Sequence, residues 1–247
     1  MYRLIAITTV EIKLFFRNFF SVFFAFAFPL GMLLLFGSIY GNEPNEFMYG
    51  YGTMDYSLPA YSCMVIAVTG LMSLPLTIAD YRSRKILKRM MASPVHPSQL
   101  LLSQLIVNLL MTLIGIFLLI FMGVILYKVR FVGDFLPTLF AFFLTTLSIF
   151  SIGLLIAGLM PNVKAVNLVS YLIYFPMLFL SGATLPMQML PDGVQAAAKF
   201  LPLTYGVRLM QGVWVGNKLS GYSLEIIVLT GILIVCSSLA IGLFKWE

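Results

Sequence analysis

Charge is what this sequence has least of: Asp, Glu, Lys and Arg make up 10% of its 247 residues, where a soluble domain carries roughly 25%. Too little polar material is left to cover a water-facing surface, which excludes a soluble globular protein of this size. Histidine occurs once, as His96, and cysteine twice, as Cys63 and Cys236, far apart and without metal-ligand spacing. No metal ligand is assigned, and both cysteines read as small buried hydrophobes. No Gly-Lys dipeptide occurs anywhere, so a phosphate-binding loop is missing and nucleotide is not hydrolysed in this chain. No Ser/His/Asp set or pair of carboxylates converges on one membrane face, and no catalytic residue is assigned.

What remains is strongly apolar: 61% of residues are hydrophobic and 22 are phenylalanine, for a mean hydropathy of +1.01. A membrane-spanning helix needs about 20 mostly apolar residues. Six stretches qualify, at about 19–40, 57–79, 100–127, 135–159, 165–183 and 223–244. Their length, and the lack of ten-residue alternation, exclude an outer-membrane barrel. The expected fold is all-α, a single transmembrane domain over residues 1–247 with six spanning helices. The first apolar run follows Arg3, Lys13 and Arg17, is too long for a signal-peptide core and reads as a retained span. Residues 3–18 read as an interfacial elbow helix, in which Glu11 interrupts the apolar face. Inside the spans the only ionisable carboxylate is Glu225, near the end of the last. Ion-coupled carriers need such groups as relays, so the energy for transport must arrive from another chain.

Six spans leave both termini on one side. That side would hold Arg3, Lys13, Arg17, Arg82, Arg84, Lys85, Lys88, Arg89, Lys164 and Lys245. The other would hold Lys128, Arg130, Lys199, Arg208 and Lys218. Short-loop basic residues mark the cytoplasmic face, so both termini and the 80–99 loop are expected there. The net charge of +6 is then mostly topological. No groove-reading motif accompanies it, and nucleic acid is not an expected partner.

Five of those bases stand together in "DYRSRKILKRMMASPVHPSQ", residues 80–99. At 100° per residue, Ile86, Leu87, Met90 and Met91 share one face of a helix over 82–91, and Arg82, Arg84, Lys85, Lys88 and Arg89 share the other. Pro94 and Pro97 stop it. A helix lying on lipid explains the charge, at about 1 kcal/mol per base. A helix bracketed this tightly between two spans fits docking on a protein better, with two adaptable methionines among its apolar anchors.

"LKRMMASPVHP" is similar to the cytoplasmic coupling helix of the ABC-2 type permeases, where a leucine-basic helix runs into a turn with two prolines. "LFFRNFFSVFFAFAFPLGMLLLFG" resembles that family's opening, an Arg-Asn elbow and a first span with a mid-membrane proline, Pro29. "FLSGATLPMQMLP" followed by "FLPLTYGVRLMQG" resembles its outer region of short re-entrant helices before the last span. The resemblance implies an ATP-binding-cassette exporter. Arg84, Lys85, Ile86, Leu87, Lys88, Arg89, Met90, Met91 and Pro94 would meet an ATPase subunit, present in two copies and carrying ATP and Mg. A second permease chain, identical or homologous, would complete the assembly in a bacterial plasma membrane, in contact with lipid. Ser181, Gly182, Pro186, Pro191, Pro202 and Tyr205 would form the outer gate. Asn167, Ser170, Tyr171 and Tyr174 share one face of the fifth span, either as helix-to-helix hydrogen bonds or as a lining of the substrate path. A path without charge favours a hydrophobic or amphiphilic cargo such as a drug, antimicrobial peptide or lipid. Export of sodium or a glycan precursor, and an ATP-independent channel or scaffold, are the alternatives.

Overall fold

The computed structural model describes residues 2–44, 50–86 and 97–243. The chain opens with α1 (Tyr2–Arg17). Asn18 breaks it with extended backbone, and its side chain accepts from the Ser21 amide at 3.2 Å. That Asn cap starts the next helix in a new direction, which is the elbow the Arg-Asn pair predicts. Six helices long and apolar enough to cross a membrane follow, together with α1 forming an all-helical protein. They are α2 (Phe19–Tyr40), α3 (Thr53–Ser83), α4 (Pro97–Tyr127), α5 (Phe135–Leu159), α6 (Val163–Leu180) and α9 (Ser223–Leu243). Between the last two, prolines divide the chain into a 3₁₀ turn at Met187–Met189, α7 (Asp192–Ala198), α8 (Pro202–Trp214) and a second 3₁₀ turn at Leu219–Tyr222.

The spans are not equivalent. In α3, 89% of the most apolar stretch is buried by the rest of the chain, against 11% in α9 and 22% in α2. α3 is the central post, and the outer helices turn apolar side chains such as Phe117, Leu168 and Ile241 outward. It is also longer than the apolar run at 57–79. Asp55 in its first turn accepts from Asn42 Nδ2 at 2.8 Å and from the Arg130 amide at 2.9 Å. At the other end Arg84 pairs with Asp80 at 2.8 Å, and Arg82 donates to the Met160 carbonyl. Because these charges find partners off the apolar stretch, the helix continues past both of its ends. Its 31 residues span about 46 Å at 1.5 Å per residue.

Two π turns interrupt the first two spans, Phe23–Ala27 in α2 and Thr69–Ser73 in α3. Each precedes a proline, Pro29 or Pro75, whose missing N–H frees the carbonyl four residues earlier; the wider turn absorbs that missing bond. In α3 the widened turn sits at a close crossing with α5. A Cβ on Gly153 of α5 would lie 1.9 Å from the Gly70 carbonyl oxygen, so the two backbones meet with no side chain between them. Across the same region Thr69 and Thr112 share a 2.8 Å hydroxyl bond. α9 lies along α5, where Ser148 Oγ donates to the Leu229 carbonyl at 2.5 Å.

The helix expected over 82–91 does not begin where its charge pattern does. Arg82 and Ser83 are the last residues of α3, Arg84 turns, and Lys85 adopts φ +57°. This left-handed conformation, uncommon for a residue with a Cβ, ends the span. Arg82 therefore belongs to α3 and not to the basic face of a separate helix. Leu87 to His96 lie outside the described residues.

Candidate functional site

Two cavities flank α3, one at each end. The first, of about 510 Å³, lies between α1 and the ends of α3 and α4. Its floor is Glu11, which is only 6% exposed. Glu11 Oε2 accepts from the Tyr81 hydroxyl at 2.5 Å, tying the elbow helix to α3. Burial pushes the Glu11 carboxyl above the ordinary carboxylate range, against the opposing pull of the Tyr81 hydroxyl and the Gln104 amide. Gln104 also lines the cavity and is 3% exposed; its Nε2 acts on Glu11 without making a hydrogen bond of normal geometry. The Asp80–Arg84 pair lies at the same cavity, with the Arg84 side chain 68% exposed. Sequence reading saw Glu11 only as a flaw in an apolar face. Tyr81 is 70 positions away, and no local pattern announces such a contact.

Of the residues expected to meet an ATPase, Arg84 and Lys85 are exposed, and Ile86 packs with Ile7 against Tyr81 and Leu100. The beginning of that segment thus rests on the same elbow helix that holds Glu11. Leu87, Lys88, Arg89, Met90, Met91 and Pro94 lie outside the described residues.

At the opposite end a cavity of about 600 Å³ is framed by Tyr51, Tyr56, Arg208, Gln211, Asn217 and Tyr222. Gln211 donates to the Tyr56 carbonyl at 3.1 Å, Asn217 to the Tyr222 hydroxyl at 2.9 Å, and Tyr51 to the Val215 carbonyl at 3.2 Å. Its wall is built from the proline-divided segments. Gly182, at φ +85°, turns the chain sharply after α6, where Thr184 Oγ1 donates back to Leu178 at 2.7 Å and Ser181 Oγ accepts from the Ala183 amide. Pro191 precedes α7 and Pro202 opens α8, a position that suits a residue without an N–H. Thr204 and Tyr205 donate to the carbonyls of Ala198 and Lys199, at 2.7 and 2.8 Å, stapling α8 onto the end of α7. The expected gate residues thus shape one continuous stretch of chain, with Pro186 at the first 3₁₀ turn.

The polar cluster of α6 is split by its own helix. Ser170 and Tyr174 are fully buried, and Asn167 and Tyr171 are half-buried at their sides, while Leu168 and Leu172 face outward. Asn167 Oδ1, Ser170 Oγ and Tyr174 OH have no hydrogen-bond partner, nor do Thr145 and Thr146 of α5. Tyr171 stacks on Phe175 with ring centroids 5.8 Å apart. No group of three or more potential metal ligands occurs among the described residues.

Comparison with known proteins agrees with this arrangement. The family model for the ABC-2 type transporter matches residues 2–215. Over 238 residues the chain is 24% identical to the probable doxorubicin resistance ABC transporter permease protein DrrC of Mycobacterium tuberculosis, covering 92% of this chain and 82% of that protein. It is 35% identical to nodulation protein J of Rhizobium leguminosarum bv. viciae over 86 residues, 35% of this chain and 33% of that protein. Against nodulation protein J of Rhizobium meliloti it is 31% identical over 83 residues, 34% of this chain and 32% of that protein. The chain thus matches about a third of the length of these nodulation proteins. With six membrane-spanning helices and a family match over most of its length, it belongs to the ABC-2 type transporter family as a transmembrane permease.

Proposed function

We propose that this chain is the permease subunit of an ATP-driven exporter, moving a hydrophobic or amphiphilic substrate out of the cell. ATP is hydrolysed with Mg on a separate ATPase subunit, two copies of which serve a pair of permease chains, identical or homologous. Both termini and the 80–99 segment face the cytoplasm. The single observation that carries this reading is the continuity of α3: the most buried span of the protein runs directly into Arg84, Lys85 and Ile86. A load applied to that segment acts on the centre of the bundle, not on a peripheral helix, as rigid-body movement of spans requires. The unpartnered hydroxyls of Ser170 and Tyr174 support a substrate path along α6, with Asn167 and Tyr171 at its margins. Polar atoms without a partner are costly away from water, and cargo or water admitted by movement of α6 off α3 would satisfy them. Ser181, Gly182, Pro186, Pro191, Pro202 and Tyr205 would hold the exit closed from outside.

The decisive experiment concerns the segment after α3. Leu87→Asp with Met91→Asp puts charge into an apolar docking cleft, so the ATPase should detach or run uncoupled while the permease still inserts. Lys85→Gln with Arg89→Gln should do less, since rim charges act mainly on association rate. Co-purification and transport-linked ATP hydrolysis measure both. If the aspartate pair changes neither, the segment is only a topogenic tag and this reading loses its best support; transport that needs no ATPase would make the chain an ATP-independent channel or scaffold. Orientation is checked separately: Lys199→Cys should react with an impermeant thiol reagent in intact cells, and Lys88→Cys only after lysis.

A further inference from the structure

We propose that the cavity beneath the elbow helix binds the cationic head of an amphiphile, with Glu11 as its counter-charge. On the functional reading above, this is a cytoplasmic-side site for the cargo itself, and it narrows that cargo to ammonium compounds.

Three observations carry it. The cavity has about 510 Å³, within the range of small-molecule sites, and its walls include Leu14, Phe15, Leu76 and Val107, against which an apolar tail can lie. Its buried charge is of one sign. Glu11 is 6% exposed and forms no ion pair among the described residues, whereas the one base among the described lining residues, Arg84, is engaged by Asp80 and has a side chain 68% exposed. A carboxyl so little exposed is favoured as the neutral acid unless a cation arrives. An ammonium head restores its ionisation, whereas an anionic head finds no buried counter-charge there and keeps Glu11 neutral. The third observation refines the ligand. Gln104 lines this cavity almost fully buried; its amide acts on Glu11 but Nε2 makes no hydrogen bond of normal geometry, so an oxygen acceptor close to the ammonium would give that donor a full partner.

Lauroylcholine has this chemistry, a quaternary ammonium two carbons from an ester. Dodecyltrimethylammonium lacks the oxygens, and dodecanoate inverts the charge. Binding of each, radiolabelled, is measured to the purified permease in nanodiscs, without the ATPase. Lauroylcholine should bind more tightly than dodecyltrimethylammonium, and dodecanoate should not compete. Glu11→Gln, which keeps an acceptor for the Tyr81 hydroxyl, should weaken both cations at least ~10-fold. Gln104→Met should erase the advantage of lauroylcholine, and should weaken dodecyltrimethylammonium less than Glu11→Gln does, since the amide only assists ionisation of Glu11. Leu14→Trp, filling the cavity with the charge intact, should weaken all binding and guards against a Glu11 effect through folding. Equal competition by dodecanoate, or cation binding indifferent to both Glu11→Gln and Leu14→Trp, overturns the proposal. Because no ATPase is present, cation binding without ATP-driven transport would sink only the functional reading. Transport with an indifferent Glu11 would sink only this site.

Discussion

The cavities at the two ends of α3 are similar in size and opposite in construction. At the elbow end the walls are the ends of long helices, and the buried charged group is the carboxyl of Glu11. At the far end the walls are short proline-divided segments, tyrosines and amides, and the one charged group lining the cavity among the described residues is the guanidinium of Arg208. Rigid helix ends can hold a costly buried acid in one position. Short segments stapled by single hydrogen bonds, such as those of Thr204 and Tyr205, can part with the loss of few contacts. If the proposed site holds, a cation drawn to the first cavity would meet the Arg208 guanidinium at the second, and capture at one end would be paired with low retention at the other.

That comparison requires α3 to act as one rigid body between its ends, and the largest effect should come from breaking it in the middle. Gly153→Leu would drive a side chain into the Gly70 carbonyl, which a Cβ alone approaches to 1.9 Å. The cost should be roughly 3 kcal/mol or more, because two backbones must separate. The variant should lose yield and melting temperature in detergent. Gly193→Leu, at a position where a Cβ would meet nothing within 4 Å, should leave both near wild type.

The two ends can next be compared through an aspartate at each. Asp55→Ala deprives Asn42 and the Arg130 amide of one acceptor, at 2.8 and 2.9 Å, and loosens the far-end turn. Hydrogen bonds to a charged group contribute about 1.5–3 kcal/mol each, so a loss of about 2 kcal/mol is expected in thermal unfolding. Asp80→Ala removes only a partly exposed ion pair with Arg84, and the expected loss is below about 1 kcal/mol. Equal losses would mean that the two ends are not built differently.

Much of this architecture was written locally, and the exceptions share one cause. The spans at 19–40 and 135–159 coincide with α2 and α5 because their apolar runs stop where the helices stop. Asn18, Gly182, Pro191 and Pro202 act on their immediate neighbours, so the elbow and the broken segment before α9 could be expected from single residues. α3 outran its apolar stretch because Asp55, Asp80 and Arg82 are satisfied by Asn42, Arg130, Arg84 and Met160. Most of those partners are distant in the chain. Glu11 was read backwards for the same reason. Its meaning depends on Tyr81 and Gln104, two residues on different spans that become neighbours only when the bundle closes. Helix periodicity reports which face is apolar; it carries no information about which distant hydroxyl will make a buried acid tolerable.

The smallest effect sharpens the comparison from the acidic side. Glu11 has its carboxyl raised above the ordinary range by burial, so over part of the pH scale the folded protein holds a proton that the unfolded chain has released. Stability then falls as pH rises from the unfolded carboxyl value through the raised folded one, and levels off above it. Glu11→Gln carries no such proton, although its amide oxygen can still accept from Tyr81. The variant should therefore gain on wild type as pH rises through that window. The other charged or titratable groups at the cavity, Tyr81, Asp80 and Arg84, are present in both proteins and cancel to first order in the difference. In nanodiscs without added amphiphile the relative gain should be about 2 °C or less in melting temperature. It should shrink or reverse when lauroylcholine is present, because the cation stabilises only the ionised acid. A pH-independent difference between the two proteins would show that Glu11 is not held as a neutral acid.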